Sequence, residues 1–287
     1  MPSRSTTAPD IATTLAWIEA HLDDALTLDR IAAHAGLSSF YFSRLFTART
    51  GRSVMAHVRN LRLVRAARRL ADDPSIGLTD LAFDSGFESQ EAFIRAFQRL
   101  FGTTPGRMKF AYGTTMPAPV RARRAPVAVN VERLPGLVER DAFTLFGLQH
   151  RFEDDTQLAI PGLWERFAER TAAFGRPRGA YGVIFDPDPA NGAFEYMAGM
   201  PPVDGLDAVA DLRSLRIAAN TYVVFRMTLD AGPVHPQILA ANEAVWAERL
   251  PASGLEAIEA PDFEYYDARF RPGERGSVVD YHVPVSA

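Results

Sequence analysis

Apolar residues recur at helical spacing through the first 112 positions. From residue 127 onward they alternate in short runs broken by two longer helical stretches. The helical part contains a repeat, displaced by about fifty positions. Leu28-Asp29-Arg30-Ile31-Ala32-Ala33-His34-Ala35-Gly36-Leu37-Ser38 answers to Leu78-Thr79-Asp80-Leu81-Ala82-Phe83-Asp84-Ser85-Gly86-Phe87-Glu88. In each copy an alanine, Ala32 or Ala82, precedes a glycine, Gly36 or Gly86, by one helical turn. The alanine lets a second helix cross closely, and the glycine tolerates the positive φ that ends the first. Polar starts at Ser38-Ser39 and Ser89-Gln90 open the second helices. Their apolar stripes, Phe42, Leu45 and Phe46 in one copy and Phe93, Phe97 and Leu100 in the other, point to a core. Each copy closes on a glycine, Gly51 or Gly102. Two helix-turn-helix units are predicted, joined by a helix from Ser53 to Ala71. At 1.5 Å per residue that helix spans about 28 Å, close to the roughly 34 Å turn of B-DNA. The alternative is a pair of ordinary helical hairpins; the duplication argues against it.

After residue 126, Val127, Val129 and Val131 predict a strand ended by Leu134-Pro135-Gly136. Two blocks follow. The first has strand 142–152, helix 161–173 opening on Pro161, strand 180–186, a turn over 186–192 and strand 193–199. The second has strand 221–229, helix 235–249, strands 255–259 and 262–270, and a last strand over 277–284. Phe194-Glu195-Tyr196 in one block answers Phe263-Glu264-Tyr265 in the other. The expected architecture is multidomain: an all-α double helix-turn-helix domain over 1–112, a linker over 113–126, and an α+β domain of two strand–helix–strand–strand units over 127–287.

Charge sharpens this division. The chain of 287 residues has a formal charge of −4. Residues 1–125 carry 17 Lys+Arg against 11 Asp+Glu, and residues 126–287 carry 14 against 24. The two parts therefore stand at +6 and −10, and a polyanion suits only the first. The chain has no cysteine, which excludes disulfides, thiolate metal sites and thiol redox chemistry and fits a reducing compartment. No basic-then-apolar leader opens the sequence, and no uncharged apolar run nears the roughly 20 residues of a membrane span. A soluble, cytoplasmic, nucleoid-associated protein with no membrane partner is expected.

The helical segments LSSFYFSRLFTARTG (37–51), VRNLRLVRAARRL (58–70) and LAFDSGFESQEAFIRAFQRLFGTTPGRMK (81–109) resemble the AraC/XylS family of bacterial transcription regulators. The resemblance covers about residues 10–109. It departs from the family at Met108, where an aromatic residue is usual, which weakens a local packing contact. The resemblance implies double-stranded promoter DNA as a partner, RNA polymerase as a further one, and base-reading positions at Phe40, Ser43 and Arg44 in one helix and Gln90, Glu91, Ile94 and Arg95 in the other. These positions lie off the apolar stripes. Arg44 can donate a fork to guanine O6 and N7, worth about 1–3 kcal/mol of base discrimination; the alternative is an ordinary salt-bridging arginine. Arg95 suits phosphate, and Glu91 suits a cytosine amino group.

The segments IPGLWERF (160–167), YGVIFD (181–186), FEYMAGM (194–200), TYVVFRM (221–227) and PDFEYYDARF (261–270) resemble GyrI-like effector-binding domains, which occur on multidrug-sensing regulators. That resemblance covers about residues 127–285 and implies a cleft for apolar, often cationic, aromatic molecules. Strand alternation places Glu264 on one face with Tyr266, Ala268 and Phe270. A carboxylate on an apolar face costs several kcal/mol unless it is paired or protonated, and a ligand cation supplies such a pair. Trp164, Tyr181, Tyr222 and Trp246 are candidate walls, with cation–π attraction to add. The alternatives are an internal ion pair of Glu264 with Arg226, a solvated edge position, and plain core roles for the four rings.

No GxSxG elbow, phosphate loop, dinucleotide glycine fingerprint or HExxH is present. The six histidines are scattered, so neither metal nor cofactor is expected. The leading expectation is a ligand-responsive transcription regulator sensing a small amphipathic molecule, and not an enzyme. The alternative is a GyrI-like cyclopropanoid hydrolase fused to a DNA-binding module, with Glu264 as its base.

Overall fold

The computed structural model describes residues 11–111, 127–153, 156–175, 177–188 and 192–286. The linker expected over 113–126 lies outside them. Seven helices form the first part: α1 (Ile11–Ala20), α2 (Leu28–His34), α3 (Ser39–Thr50), α4 (Val54–Asp72), α5 (Leu78–Asp84), α6 (Gln90–Phe101) and α7 (Pro105–Ala111). The turn chemistry follows the repeat. Ser38 caps α3 by accepting from the Tyr41 amide, and Ser89 caps α6 by accepting from the Ala92 amide at 3.1 Å. Gly51 and Gly102 end the two helices at φ 72° and 70°, a backbone region that favours glycine.

Two small cores hold these helices, and α4 runs through both. Its first half places Val54 and Val58 against Phe42, Leu45 and Phe46. Its second half places Leu63, Ala67 and Leu70 against Phe93, Phe97 and Leu100. One long helix thus spaces the two units rigidly. Met108 is only 2% exposed within the second core; its flexible thioether occupies the space expected to be weakly packed.

The second part is one nine-stranded antiparallel sheet. Its strands are β1 (Asn130–Arg133), β2 (Val138–Arg140), β3 (Phe143–Phe152), β4 (Ala180–Asp188), β5 (Ala193–Met200), β6 (Arg213–Ile217), β7 (Asn220–Leu229), β8 (Asp262–Tyr266) and β9 (Ser277–Pro284). They lie in the order β1-β7-β9-β8-β4-β5-β3-β6, with β2 also on β7. Read outward from the central β8–β4 pair, β9 answers β5, β7 answers β3, and β1 answers β6. The duplication is thus real, but its alignment differs from expectation. Phe263-Glu264-Tyr265 lies on β8, the counterpart of β4, whereas Phe194-Glu195-Tyr196 lies on β5.

Register shows which face the helices cover. Phe225, Tyr281, Glu264, Gly182, Ala198 and Leu148 stand opposite one another in a row across the sheet. Directly paired residues share a face. Helix α8 (Ile160–Thr171) packs through Leu163 and Phe167 near Leu148 and Ala198. Helix α9 (Val234–Ala244) packs through Ile238 and Ala241 near Phe225 and Tyr281. Both therefore cover the Glu264 face, one on each half, and the middle of the row lies between them.

Several boundaries differ from expectation. The helix expected over 235–249 is α9 followed by a π segment, Val245–Arg249, and a short α10 (Leu250–Ser253). The expected strand 255–259 is reduced to a single bridge between Ala257 and Val285. The strand expected over 262–270 ends at Tyr266, and β1 begins only at Asn130. Strands β2 and β6 were not expected, because they are short, arginine-bearing edges with little apolar alternation.

Candidate functional site

The site begins with the pairing of Gly182 and Glu264 at the centre of the sheet. Glu264 is only 3% exposed. Its carboxylate accepts hydrogen bonds from the Tyr196 hydroxyl at 2.9 Å, the Tyr266 hydroxyl at 2.8 Å and the Asn242 amide at 3.0 Å. Trp164 on α8 in turn donates its indole N–H to the Tyr196 oxygen at 3.0 Å. Strands β5 and β8 and helix α9 each bring one donor, and α8 fixes the orientation of one of them. All three donors are neutral. Burial pushes the Glu264 carboxyl above its ordinary pKa, and the hydrogen bonds from Asn242, Tyr266 and Tyr196 oppose that rise.

Asp262 lies two residues earlier on the same face and is 2% exposed. Its carboxylate accepts from the Tyr281 hydroxyl and from the Arg44 guanidinium, the latter at 2.5 Å. Arg44 also donates to the Tyr281 oxygen at 3.0 Å, and Trp246 donates its indole N–H to that oxygen at 2.9 Å. The guanidinium carbon sits 4.5 Å from the Trp246 ring centroid, a cation–π contact. Burial would lower the Arg44 pKa, but Asp262 and Tyr281 more than offset it, so the group stays charged. Burial likewise raises Asp262, against the pull of Arg44 and Tyr281. The phenols of Tyr196, Tyr266 and Tyr281 are pushed well above their usual range, by burial first and then by the adjacent carboxylates, and remain donors.

A cavity of about 1540 Å³ opens over Glu264 and its donors, with Arg44 and Trp246 also in its wall; Asp262 and Tyr281 do not line it. Trp164, Ile184, Tyr196, Leu239, Asn242, Trp246, Glu264, Tyr266 and Phe270 line it from the sheet domain, and Ser43, Arg44, Thr47 and Ala48 line it from α3. Trp164 meets Tyr266 edge to face at 5.1 Å, and Tyr266 meets Phe270 at 4.7 Å. An apolar enclosure with a few convergent polar groups is the usual form of a small-molecule site.

Of the residues singled out as ligand-binding, Glu264, Tyr266, Trp164 and Trp246 meet at this cavity. Tyr181 and Tyr222 do not line it. They lie on the opposite face of the sheet, packed with Leu145, Val183, Met197 and Phe263. Their strands are buried on both faces, so burial alone did not show which side they serve. Arg226 bonds to Asp280 at 2.9 and 3.1 Å, not to Glu264. Sequence reasoning missed Asp262, Tyr196, Asn242 and Tyr281. Asp262 shares its strand parity with Glu264 and was open to the same argument, whereas Asn242 carries no signal without the α9 packing.

The two helices that carry the expected DNA-reading positions stand in different surroundings. On α6, Glu91 and Arg95 are exposed, Gln90 accepts from the Thr79 hydroxyl at 2.7 Å, and Ile94 leans on the second helical core. On α3, Phe40 stands edge-on to Trp246 at 6.2 Å, while Ser43 and Arg44 face the cavity. Among the described residues no cluster of acidic or histidine side chains could hold a metal. None of the described helices is long and apolar enough to cross a membrane.

Comparison with known proteins accords with this architecture. Residues 31–109 match the helix-turn-helix domain family, and residues 136–285 match the integron-associated effector binding protein family. Transcriptional regulator BrlR of Pseudomonas aeruginosa is 34% identical over 153 residues, covering 52% of this chain and 54% of that protein. The right origin-binding protein of Escherichia coli K12 is 41% identical over 93 residues, covering 32% of this chain and 31% of that one. The chain therefore spans about half or less of the length of these curated relatives. A solved integron cassette protein of Vibrio cholerae aligns with a TM-score of 0.44 at 19% identity, covering 55% of this chain and 99% of that one. With the second match extending over more than half its length, the chain belongs to the integron-associated effector binding protein family, and it carries an AraC-type helix-turn-helix domain ahead of that fold.

Proposed function

We propose that the protein is a ligand-responsive transcription regulator whose helical domain binds promoter duplex and whose sheet domain binds an amphipathic organic cation. The observation that carries the second half is the buried pair Glu264 and Asp262. Glu264 takes its hydrogen bonds from two phenols and an amide, all neutral, and Asp262 takes its positive charge from the other domain. Asp262 is thus already paired, whereas Glu264 in the cavity wall has only neutral partners among the described residues, and a buried carboxylate favours a counter-charge. A ligand cation meets that need while its apolar parts occupy the space among Trp164, Tyr266 and Phe270.

The first half rests on the paired helix-turn-helix units, the basic charge of residues 1–125 and the names of the relatives, one a transcriptional regulator and the other an origin-binding protein. In this reading α3 and α6 present Phe40, Ser43, Arg44, Gln90, Glu91, Ile94 and Arg95 to adjacent major grooves. RNA polymerase engagement is the output, and the setting is the bacterial cytoplasm at the nucleoid. We place sensing ahead of hydrolysis because the relatives compared above are named as a transcriptional regulator and an origin-binding protein, and neither as a hydrolase.

Calorimetry with methyltriphenylphosphonium and its neutral analogue triphenylphosphine oxide tests the site. Glu264→Gln is expected to weaken the cation at least about tenfold and the neutral molecule little. Equal losses for both would make the carboxylate structural. Repeated turnover of any bound molecule would replace the sensor reading with the hydrolase.

A further inference from the structure

We propose that Arg44 is an internal cation that latches the first DNA-reading helix onto the ligand cavity, and that a cationic ligand releases this helix by taking over the carboxylates Arg44 serves. The inference rests on the two binding functions proposed above and adds the link between them.

Three features of α3 carry it. The Arg44 guanidinium bridges to Asp262 at 2.5 Å, stacks over Trp246 at 4.5 Å and is only 20% exposed. It thus places a positive charge in the cavity wall, between Asp262 behind it and the space that Glu264 lines. The same side chain lines the cavity together with Glu264, and the Glu264 charge acts on it. Around it the helix is clamped: Phe40 lies against the Trp246 ring, and Arg49 donates to the Ala247 carbonyl at 3.1 Å.

This docking and duplex binding exclude one another. A major groove about 12 Å wide accepts a helix whose outward face is free to meet base edges. In the docked arrangement that face of α3 lies on α9 and the π segment. A guanidinium held between Asp262 and Tyr281 cannot also reach guanine. Helix α6 remains open, so the latched protein retains one reader of two.

The direction of coupling follows from charge. Lifting Arg44 away leaves Asp262 buried without its counter-charge, which opposes release of the helix. A cation that moves from the cavity into the place Arg44 vacates restores that charge and removes the opposition. A neutral ligand of the same shape does not distinguish the two states through charge and shifts nothing by this route. The latch is not perfectly matched to its seat: Arg44 Nε and Asn242 Oδ1 are buried and make no hydrogen bond among the described residues. A ligand with a better-placed donor therefore has something to gain over Arg44.

The chain holds no cysteine, so a full-length Asp72→Cys/Glu169→Cys variant carries spin labels only at two exposed positions, on α4 and α8. Label separation and affinity for a selected duplex are measured with methyltriphenylphosphonium, with triphenylphosphine oxide, and with neither. The cation is expected to broaden or lengthen the separation and tighten DNA binding by about 5- to 150-fold, the neutral analogue to do neither. Asp262→Asn in the labelled chain is expected to shift both readouts the same way without ligand. Trp246→Leu, which removes the ring beneath the guanidinium, serves if thermal unfolding shows the first variant to be misfolded. Unchanged separation and DNA affinity in these variants, or in the parent at a cation concentration that calorimetry shows to be saturating, overturn the latch while leaving the sensor reading intact. Absence of cation binding in calorimetry defeats the sensor reading itself, and the variants still decide the latch.

Discussion

Gly182 and Glu264 face each other across the central strand pair, and the side chain that one lacks makes room for the other's hydrogen bonds. A Cβ at Gly182 would overlap the Tyr196 hydroxyl and stand 2.5 Å from a Glu264 oxygen. The glycine is required by this close approach, not by its backbone conformation. Gly182→Ala is expected to displace Tyr196 from Glu264, to destabilise the fold by about 1–3 kcal/mol through overpacking, and to weaken cation binding. Denaturant unfolding and calorimetry read the two effects. Unaltered cation affinity would show that Tyr196 does not position the carboxylate.

The far face of the same sheet supplies a pH signature. His282 is buried against Phe263, and burial lowers its pKa from 6.5 to about 4. The unfolded chain therefore binds a proton in that interval and the folded chain does not. The resulting stability is fully present above pH 6.5 and is lost as pH falls toward 4, by up to about 3 kcal/mol. Glu264 and Asp262 are raised and act in the opposite sense at low pH. The difference between wild type and His282→Asn isolates the histidine. Parallel stability curves for the two proteins over this interval would exclude its contribution.

On α6, the proposed open reading helix, Arg95 and Glu91 are expected to behave differently. Arg95→Ala should weaken binding to all duplexes alike and reduce the salt slope by about one unit, the signature of a phosphate contact. Glu91→Ala should instead change the preference at one base pair. Affinities for a panel of single-base variants at several salt concentrations check both, and a sequence-dependent loss for Arg95→Ala would assign that residue to base reading.

The cap of this helix can be tested alone. Ser89 accepts the Ala92 amide at 3.1 Å, and Ser89→Ala is expected to cost about 1 kcal/mol. The loss should appear in denaturant unfolding with an unchanged slope. A value near zero would mean that the first turn is held by its packing.

Much of this was legible in the residues because local rules and the global fold agree. The repeat of Ala32-to-Gly36 in Ala82-to-Gly86 announced both turns, and the parity of Glu264 and Tyr266 announced a shared face. Edge strands β2 and β6 were hidden because arginines interrupt their alternation. The faces of Tyr181 and Tyr222 were hidden because both sides of a doubly covered strand are apolar. Arg44 was singled out for its chemistry, a fork seeking an acceptor. Only the docking of one domain on the other shows that Asp262, 218 positions away, is that acceptor here.

The most direct measurement is the affinity of the full chain for its selected duplex at fixed salt, with saturating methyltriphenylphosphonium and with saturating triphenylphosphine oxide. Linked sensing and DNA reading predict tighter binding with the cation, by about fivefold or more, and little change with the neutral analogue. Identical affinity under both conditions, with each molecule shown to be bound, would contradict the link by charge between the cavity and DNA reading.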